Sequence, residues 1–173
     1  MKRKLIVLGA LVATLGGVAA VFALTQADAQ STVSGAMMSP YEEVPSISNP
    51  GAAGQIELRR SGPTSFDFRL QWSGLTGPPA QAHIHLGQRG VNGGVSAFLC
   101  GGGGQPACPQ TTAGTITGTV TPTNVVGPAS QGIAAGEWGE LTQAMVAGYT
   151  YANMHTQTYP GGELRGQIFI SSS

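Results

Sequence analysis

The sequence predicts an all-β fold, an antiparallel sandwich or barrel that forms a single domain with one short helix. Three observations support this prediction. The chain has only 173 residues, and 27 glycines and 11 prolines interrupt it at short intervals. Between these breaks, polar and apolar residues alternate, which is the period-two pattern of half-buried strands. Seven or eight short strands at this spacing are typical of an antiparallel sandwich or barrel.

The strands follow one another closely along the chain. The first two predicted strands cover residues 55–59 and 65–72, and the turn between them makes them a hairpin. In the second strand the alternation places Phe66, Phe68 and Trp72 on one face. Further strands are predicted over residues 80–86, 95–99, 115–121, 150–156 and 166–170.

One segment, residues 137–148, departs from the alternating pattern and predicts the short helix. Trp138, Leu141 and Met145 recur at helical spacing and fall on one face, which we expect to pack against a sheet. Gly148 stands where a glycine commonly ends a helix.

The N-terminal segment has the organisation of an export signal. Residues 2–4 are all basic, residues 5–24 are uncharged and mostly apolar, and residues 27–29 form a small-x-small cleavage site. We therefore expect residues 1–29 to be a signal peptide and residues 30–173 to be the mature domain. The alternative is an uncleaved membrane anchor, because twenty helical residues span about 30 Å. Both alternatives place the domain outside the cytoplasm, where it is secreted, periplasmic or attached to the cell surface.

The two cysteines, Cys100 and Cys108, enclose a glycine-rich loop of seven residues. An oxidising compartment and a short flexible loop predict a disulfide bond between them.

Charge and motifs argue against several classes of function. The net charge is zero and only 9% of the residues are charged, so the chain lacks the basic surface that binds nucleic acid. It also lacks the nucleophile elbow, the phosphate-binding loop and the dinucleotide fingerprint. These absences favour a non-enzymatic protein.

The three histidines form the pattern with the most chemical content. His83 and His85 share one face of the predicted strand 80–86 because residues i and i+2 point the same way. His155 lies on a later strand, on the same face as Tyr151 and Asn153. If the two strands are neighbours, three imidazoles can meet at one copper or zinc ion.

A metal site also needs side chains that orient its ligands. Glu163 is a candidate to orient a histidine, and Tyr151, Asn153 and Arg165 are the other expected members of this second layer. The alternative is a polar network, in which the histidines hydrogen-bond to these four side chains and no metal binds. Glu163 and Arg165 share a strand face, so an ordinary ion pair between them is also expected.

Two motifs resemble the signatures of the CHRD (chordin) domain family. The first is AHIHLG at residues 82–87, followed by GVNG at residues 90–93. The second is YANMHT at residues 151–156, followed by PGGELRGQI at residues 160–168. The resemblance extends from about residue 34 to residue 170.

The resemblance implies an extracellular Greek-key sandwich or barrel, immunoglobulin-like or similar to Cu/Zn superoxide dismutase. His83-Ile84-His85 resembles the copper-binding strand of that enzyme, but three histidines are too few for its dinuclear site. The expected function is an exported, non-enzymatic module that binds an extracellular protein or glycan through the loops 87–94, 101–107 and 157–162. The alternative is a redox-active protein that binds copper or zinc through the three histidines. Contact with a membrane is expected only through an uncleaved N-terminal segment.

Overall fold

The computed structural model describes residues 33–171, which form two antiparallel β-sheets and one α-helix. This confirms the predicted all-β class with a single short helix. The signal peptide predicted for residues 1–29 lies outside the described residues. Between residues 33 and 171, no helix is both long enough and apolar enough to span a membrane.

The first sheet has five strands in the order β6-β3-β2-β1-β9, and the second has four in the order β5-β4-β7-β8. The strands are β1 (Val33–Met38), β2 (Ala53–Gly62), β3 (Ser65–Ser73), β4 (Pro79–Leu86), β5 (Val95–Cys100), β6 (Gly114–Val120), β7 (Thr150–Thr156), β8 (Leu164–Gln167) and β9 (Phe169–Ser171). The helix α1 (Trp138–Val146) lies between β6 and β7 in the chain.

Most of the predicted strands are present, with two differences. β1 was not predicted, because its small residues and two adjacent methionines do not alternate clearly. The segment predicted as one strand at residues 166–170 is divided between β8 and β9, which belong to different sheets. The chain changes sheet at Ile168, which is fully buried and donates its N–H to the Thr150 carbonyl.

The core lies between the two sheets and is built from the apolar faces of alternating strands. Ile56 and Leu70 of the first sheet and Ile84 and Met154 of the second are fully buried there. Helix α1 adds its predicted face, whose members Trp138, Leu141 and Met145 are all buried. The Trp138 ring packs 4.8 Å from the ring of Phe66.

The outer face of the second sheet is also buried, although its side chains are polar. Part of its cover is the segment after β4, whose carbonyls at residues 88, 91 and 93 contact Arg165 and His85. His83, Tyr151, Asn153 and Arg165 are each no more than 3% exposed. The domain therefore has a polar buried layer in addition to its apolar core.

The predicted disulfide is present and connects Cys100, at the end of β5, to Cys108. The glycine loop that it closes packs on the ring of Phe98. A Cβ added at Gly102 or Gly103 would lie 2.5 Å from that ring. Because Phe98 in turn packs edge-on against His83, with ring centres 4.4 Å apart, the disulfide loop forms one wall of the polar layer.

Removing the disulfide should destabilise the domain. In the chain-entropy account, opening a loop this short lowers the free energy of unfolding by ~2–3 kcal/mol. We expect this loss for Cys100→Ala/Cys108→Ala in urea denaturation followed by circular dichroism. A reductant should lower the stability of the wild type by a similar amount and leave the double variant unchanged. Equal stability of the two proteins under oxidising conditions would contradict the prediction.

Candidate metal centre

The strand order brings the three histidines together. β4 and β7 are antiparallel neighbours, and His83 pairs with Asn153 across them while Gln81 pairs with His155. The ring centres of His83 and His85 are 5.4 Å apart, and those of His83 and His155 are 4.8 Å apart. One ring nitrogen from each histidine lies within 4.8 Å of the other two.

This spacing is close to that of a metal site but slightly wider. Metal–nitrogen bonds of 2.0–2.1 Å in a tetrahedral site place the ligand nitrogens about 3.4 Å apart. The ligand nitrogens would therefore have to approach one another by up to about 1.4 Å. A three-histidine site requires the two histidine strands to be neighbours, and β4 and β7 are neighbours.

Backbone carbonyls determine which nitrogen of each ring carries the proton. His85 Nδ1 lies 3.0 Å from the Gly93 carbonyl, and His155 Nδ1 lies 3.0 Å from the Pro160 carbonyl. A carbonyl can only accept a hydrogen bond, so both Nδ1 atoms are protonated and both Nε2 atoms carry a lone pair in the neutral rings. Such a bond from the second ring nitrogen to a carbonyl is the usual support of a metal-binding histidine.

The hydrogen bond between His83 and His155 fixes the tautomer of His83. Its Nδ1 lies 3.1 Å from His155 Nε2, which is the unprotonated atom of that ring. His83 Nδ1 must therefore donate, and His83 Nε2 is left with a lone pair. All three rings thus adopt the same tautomer.

Two of these lone pairs have no hydrogen-bond partner. Among the described residues, the Nε2 atoms of His83 and His85 are buried and receive no hydrogen bond. An unsatisfied buried polar atom costs ~1–3 kcal/mol, and most buried polar groups in proteins are satisfied. Four other buried polar atoms of the described residues, on Ser96, Trp138, Thr150 and Gln167, also lack a partner, but only the two histidine nitrogens belong to a cluster of possible metal ligands.

Burial also keeps the rings neutral. It lowers the pKa of His83 to about 3 and that of His85 to about 4, and neighbouring rings lower the pKa of His83 further. Burial lowers the pKa of His155 as well. At neutral pH the three nitrogens are free of the protons that would compete with a metal ion.

Two of the four residues expected around the histidines stack beside His85. The Tyr151 ring is nearly parallel to the His85 ring at 4.8 Å, and its hydroxyl accepts the Gly93 N–H at 3.1 Å. The guanidinium of Arg165 lies 3.6 Å from the centre of the Tyr151 ring. Arg165, Tyr151 and His85 thus form a continuous stack.

The other two expected residues bond elsewhere. Asn153 donates to Glu43 at 2.6 Å and to the Leu164 carbonyl at 2.9 Å. Glu163 is fully buried and accepts four hydrogen bonds, but none comes from a histidine. Its donors are Asn49, the backbone and hydroxyl of Thr76, and the Thr156 hydroxyl.

The expected ion pair between Glu163 and Arg165 does not form. The side chain of Arg165 instead binds Asn92 and two carbonyls of the segment after β4. Sequence reasoning also missed the Gly93 and Pro160 carbonyls, because backbone groups have no signature in the residue pattern. Phe98 was missed because β5 pairs with β4 only in the folded chain, and Glu43 because its hydrogen bond with Asn153 joins residues far apart in sequence.

Glu43 is an unusual carboxyl group in the polar layer. Burial raises its pKa from 4.5 to about 7, and the hydrogen bond from Asn153 and the charge of Arg165 only partly oppose that shift. The folded state therefore holds this proton more tightly than the unfolded state does. Below pH ~4.5 the carboxyl is protonated in both states, and the wild type loses stability as the pH rises from there through about 7.

Glu43→Gln should remove this pH-dependent loss, because glutamine keeps the acceptor oxygen for Asn153 and does not titrate. We expect the variant to gain stability over the wild type between pH 5 and pH 8, by ~3 kcal/mol at the upper end. Urea denaturation at both pH values measures the difference, with Glu140→Gln on the exposed face of α1 as the control substitution. If the free energies of unfolding of Glu43→Gln and the wild type differ by the same amount at pH 5 and pH 8, the prediction is contradicted.

The family of the chain follows from its match to a family model. The CHRD domain model matches residues 34–168, which include both strands of the histidine cluster and the loops that cover it. No curated protein and no solved structure matches the chain. The match covers most of the sequence, so the chain belongs to the CHRD domain family.

Proposed function

We propose that this CHRD-domain protein binds one copper or zinc ion through His83, His85 and His155. Two observations carry the proposal: the buried Nε2 atoms of His83 and His85 have no hydrogen-bond partner, and one ring nitrogen of each of the three histidines lies within 4.8 Å of the other two. A polar network without metal leaves both atoms unsatisfied. A metal ion bound to these two atoms satisfies them. Coordination by His155 Nε2 ends the hydrogen bond that this atom accepts from His83 Nδ1–H.

The chemistry of the ligand set supports copper or zinc. Imidazole nitrogen suits these two metals, whereas calcium and magnesium prefer carboxylate and carbonyl oxygens. Among the residues that the structure describes, no carboxylate contacts the three rings by a hydrogen bond. Three neutral ligands leave a fourth position for water or a small molecule. His155 is the most exposed of the three and lies on the solvent side of the site.

We also infer that the protein works outside the cytoplasm. The disulfide between Cys100 and Cys108 supports an oxidising compartment, and CHRD is an extracellular domain family. Binding of an extracellular protein or glycan stays a prediction. Two of the loops expected to make that contact have another role, because loop 87–94 supports His85 and loop 157–162 supports His155.

Metal analysis of the purified protein tests the proposal. After incubation with copper or zinc and dialysis, we expect the wild type to retain close to one ion per chain. His83→Ala/His155→Ala should lose at least a hundredfold in affinity, since removal of a supporting group alone costs about 10–100-fold. Nitrogen couplings in the electron paramagnetic resonance spectrum of the Cu(II) form should report imidazole ligands.

A matched control separates loss of ligands from damage to the strand. Gln81 lies on the same face of β4 as the two histidines but is exposed, so Gln81→Ala should retain the ion. A folded wild-type protein that retains neither metal would refute the proposal and leave the histidines as a polar cluster.

A further inference from the structure

Arg165 is a buried cation without a carboxylate partner. It is 2% exposed, and its guanidinium donates to Asn92 Oδ1 at 3.0 Å and to the carbonyls of Val91 and Gln88 at 2.7 and 3.2 Å. All three acceptors are neutral. Within residues 33–171, the structure has one salt bridge. It joins Arg89 to Glu42 at the surface and does not involve Arg165.

An unpaired buried charge calls for an explanation, because buried charges in proteins are normally paired or bound to metals. Hydrogen bonds stabilise the guanidinium but do not neutralise it. Because the protein interior screens charge less than water does, the electrostatic field of the guanidinium extends further than it would at the surface. Two buried acids occur in the same region, but neither forms a salt bridge with Arg165. Glu163 bonds to other groups, and Glu43, whose pKa burial raises and the charge of Arg165 lowers through space, bonds to Asn153.

The strand order directs this charge toward the histidine cluster. β7 lies between β4 and β8, so His85 and Arg165 approach Tyr151 from opposite sides. The guanidinium carbon is 3.6 Å from the Tyr151 ring centre, and the His85 ring centre is 4.8 Å from it. An ion held by the histidines would therefore lie on the order of 10 Å from the cation, with one aromatic ring and one ligand between them.

We propose that Arg165 makes the three-histidine site favour a monovalent ion, Cu(I), over the divalent ions Zn(II) and Cu(II). The inference rests on the proposed metal-binding function and specifies which form of metal the site prefers. The three ligands are neutral, so the bound ion keeps its full charge in a buried place. Repulsion by Arg165 then grows with that charge. At ~10 Å and an effective dielectric constant of ~20, each added unit of charge weakens binding about tenfold.

Competition titrations on the full chain test this selectivity. Cu(I) affinity is measured without oxygen against a chromophoric Cu(I) chelator, and Zn(II) affinity against a Zn(II) chelator. In Arg165→Gln we expect both ions to bind more tightly, Cu(I) about tenfold and Zn(II) about a hundredfold, so that the ratio of Cu(I) to Zn(II) affinity falls about tenfold. Arg165→Lys keeps the charge and should keep the wild-type ratio.

A second variant leaves the arginine in place. Asn92→Asp retains the oxygen that accepts from Arg165 and adds a negative charge next to the guanidinium. The substitution removes the hydrogen bond that the Asn92 amide donates to the Val44 carbonyl at 2.9 Å, so its folding is checked by circular dichroism as well. Asn92 is exposed, and in the folded variant the added charge should shift the ratio in the same direction. If circular dichroism shows that Arg165→Gln does not fold, the ratio of Cu(I) to Zn(II) affinity in Asn92→Asp tests the selectivity instead.

The outcomes distinguish this inference from the proposed function. A wild type that binds neither ion overturns both. A wild type that binds metal, with an unchanged ratio in the folded variants, overturns the selectivity alone. An equal loss of both ions in Arg165→Gln, with no change in Asn92→Asp, makes Arg165 a structural support only and also overturns it.

Discussion

The hydrogen bonds of Arg165 hold the parts of the molecule that form the site. Its backbone pairs with Ser39 by two hydrogen bonds, which connect the second sheet to the end of β1. Its side chain binds the carbonyls of Gln88 and Val91 and so keeps the covering loop on the sheet. The polar layer is buried because this loop stays in place. Burial in turn makes the histidines neutral and leaves two of their nitrogens without partners.

β7 shows how one strand serves two buried layers. Six of its seven residues are buried, yet apolar and polar side chains alternate along it. Ala152 and Met154 face the apolar core, while Tyr151, Asn153 and His155 face the covering loops. A polar layer inside a protein has to satisfy its hydrogen bonds, since an orphaned group costs ~1–3 kcal/mol. Gln167 Oε1, which lies beside Tyr151 in this layer, also lacks a partner. The unpartnered nitrogens of His83 and His85 differ from it because they belong to a cluster of three imidazoles.

The period-two pattern was sufficient for most of the fold and for the three histidines. It located β2 to β7, assigned Ile84 to the core and placed His83 and His85 on the opposite face. The pattern could not separate β9 from β8, because the alternation of side chains continues unchanged where the chain passes from one sheet to the other. It also could not show that loops cover the polar face, since covering depends on contacts far apart in sequence. For the same reason it expected Glu163 beside the histidines, whereas Glu163 bonds to Thr76 and Thr156.

The abundance of glycine also has a structural meaning that composition alone does not reveal. The glycine-rich loops were expected to form an exposed contact surface, but several of these glycines let a loop approach the sheet. A Cβ at Gly93 would overlap the Leu86 carbonyl, and one at Gly162 would lie 2.6 Å from the Asn153 side chain. Only a residue without a side chain brings the Gly93 carbonyl to His85 Nδ1. The carbonyl fixes the tautomer, and the tautomer points a lone pair toward the proposed metal. A high glycine content, which usually indicates flexible loops, here lets loops approach the sheet closely enough to support the histidines.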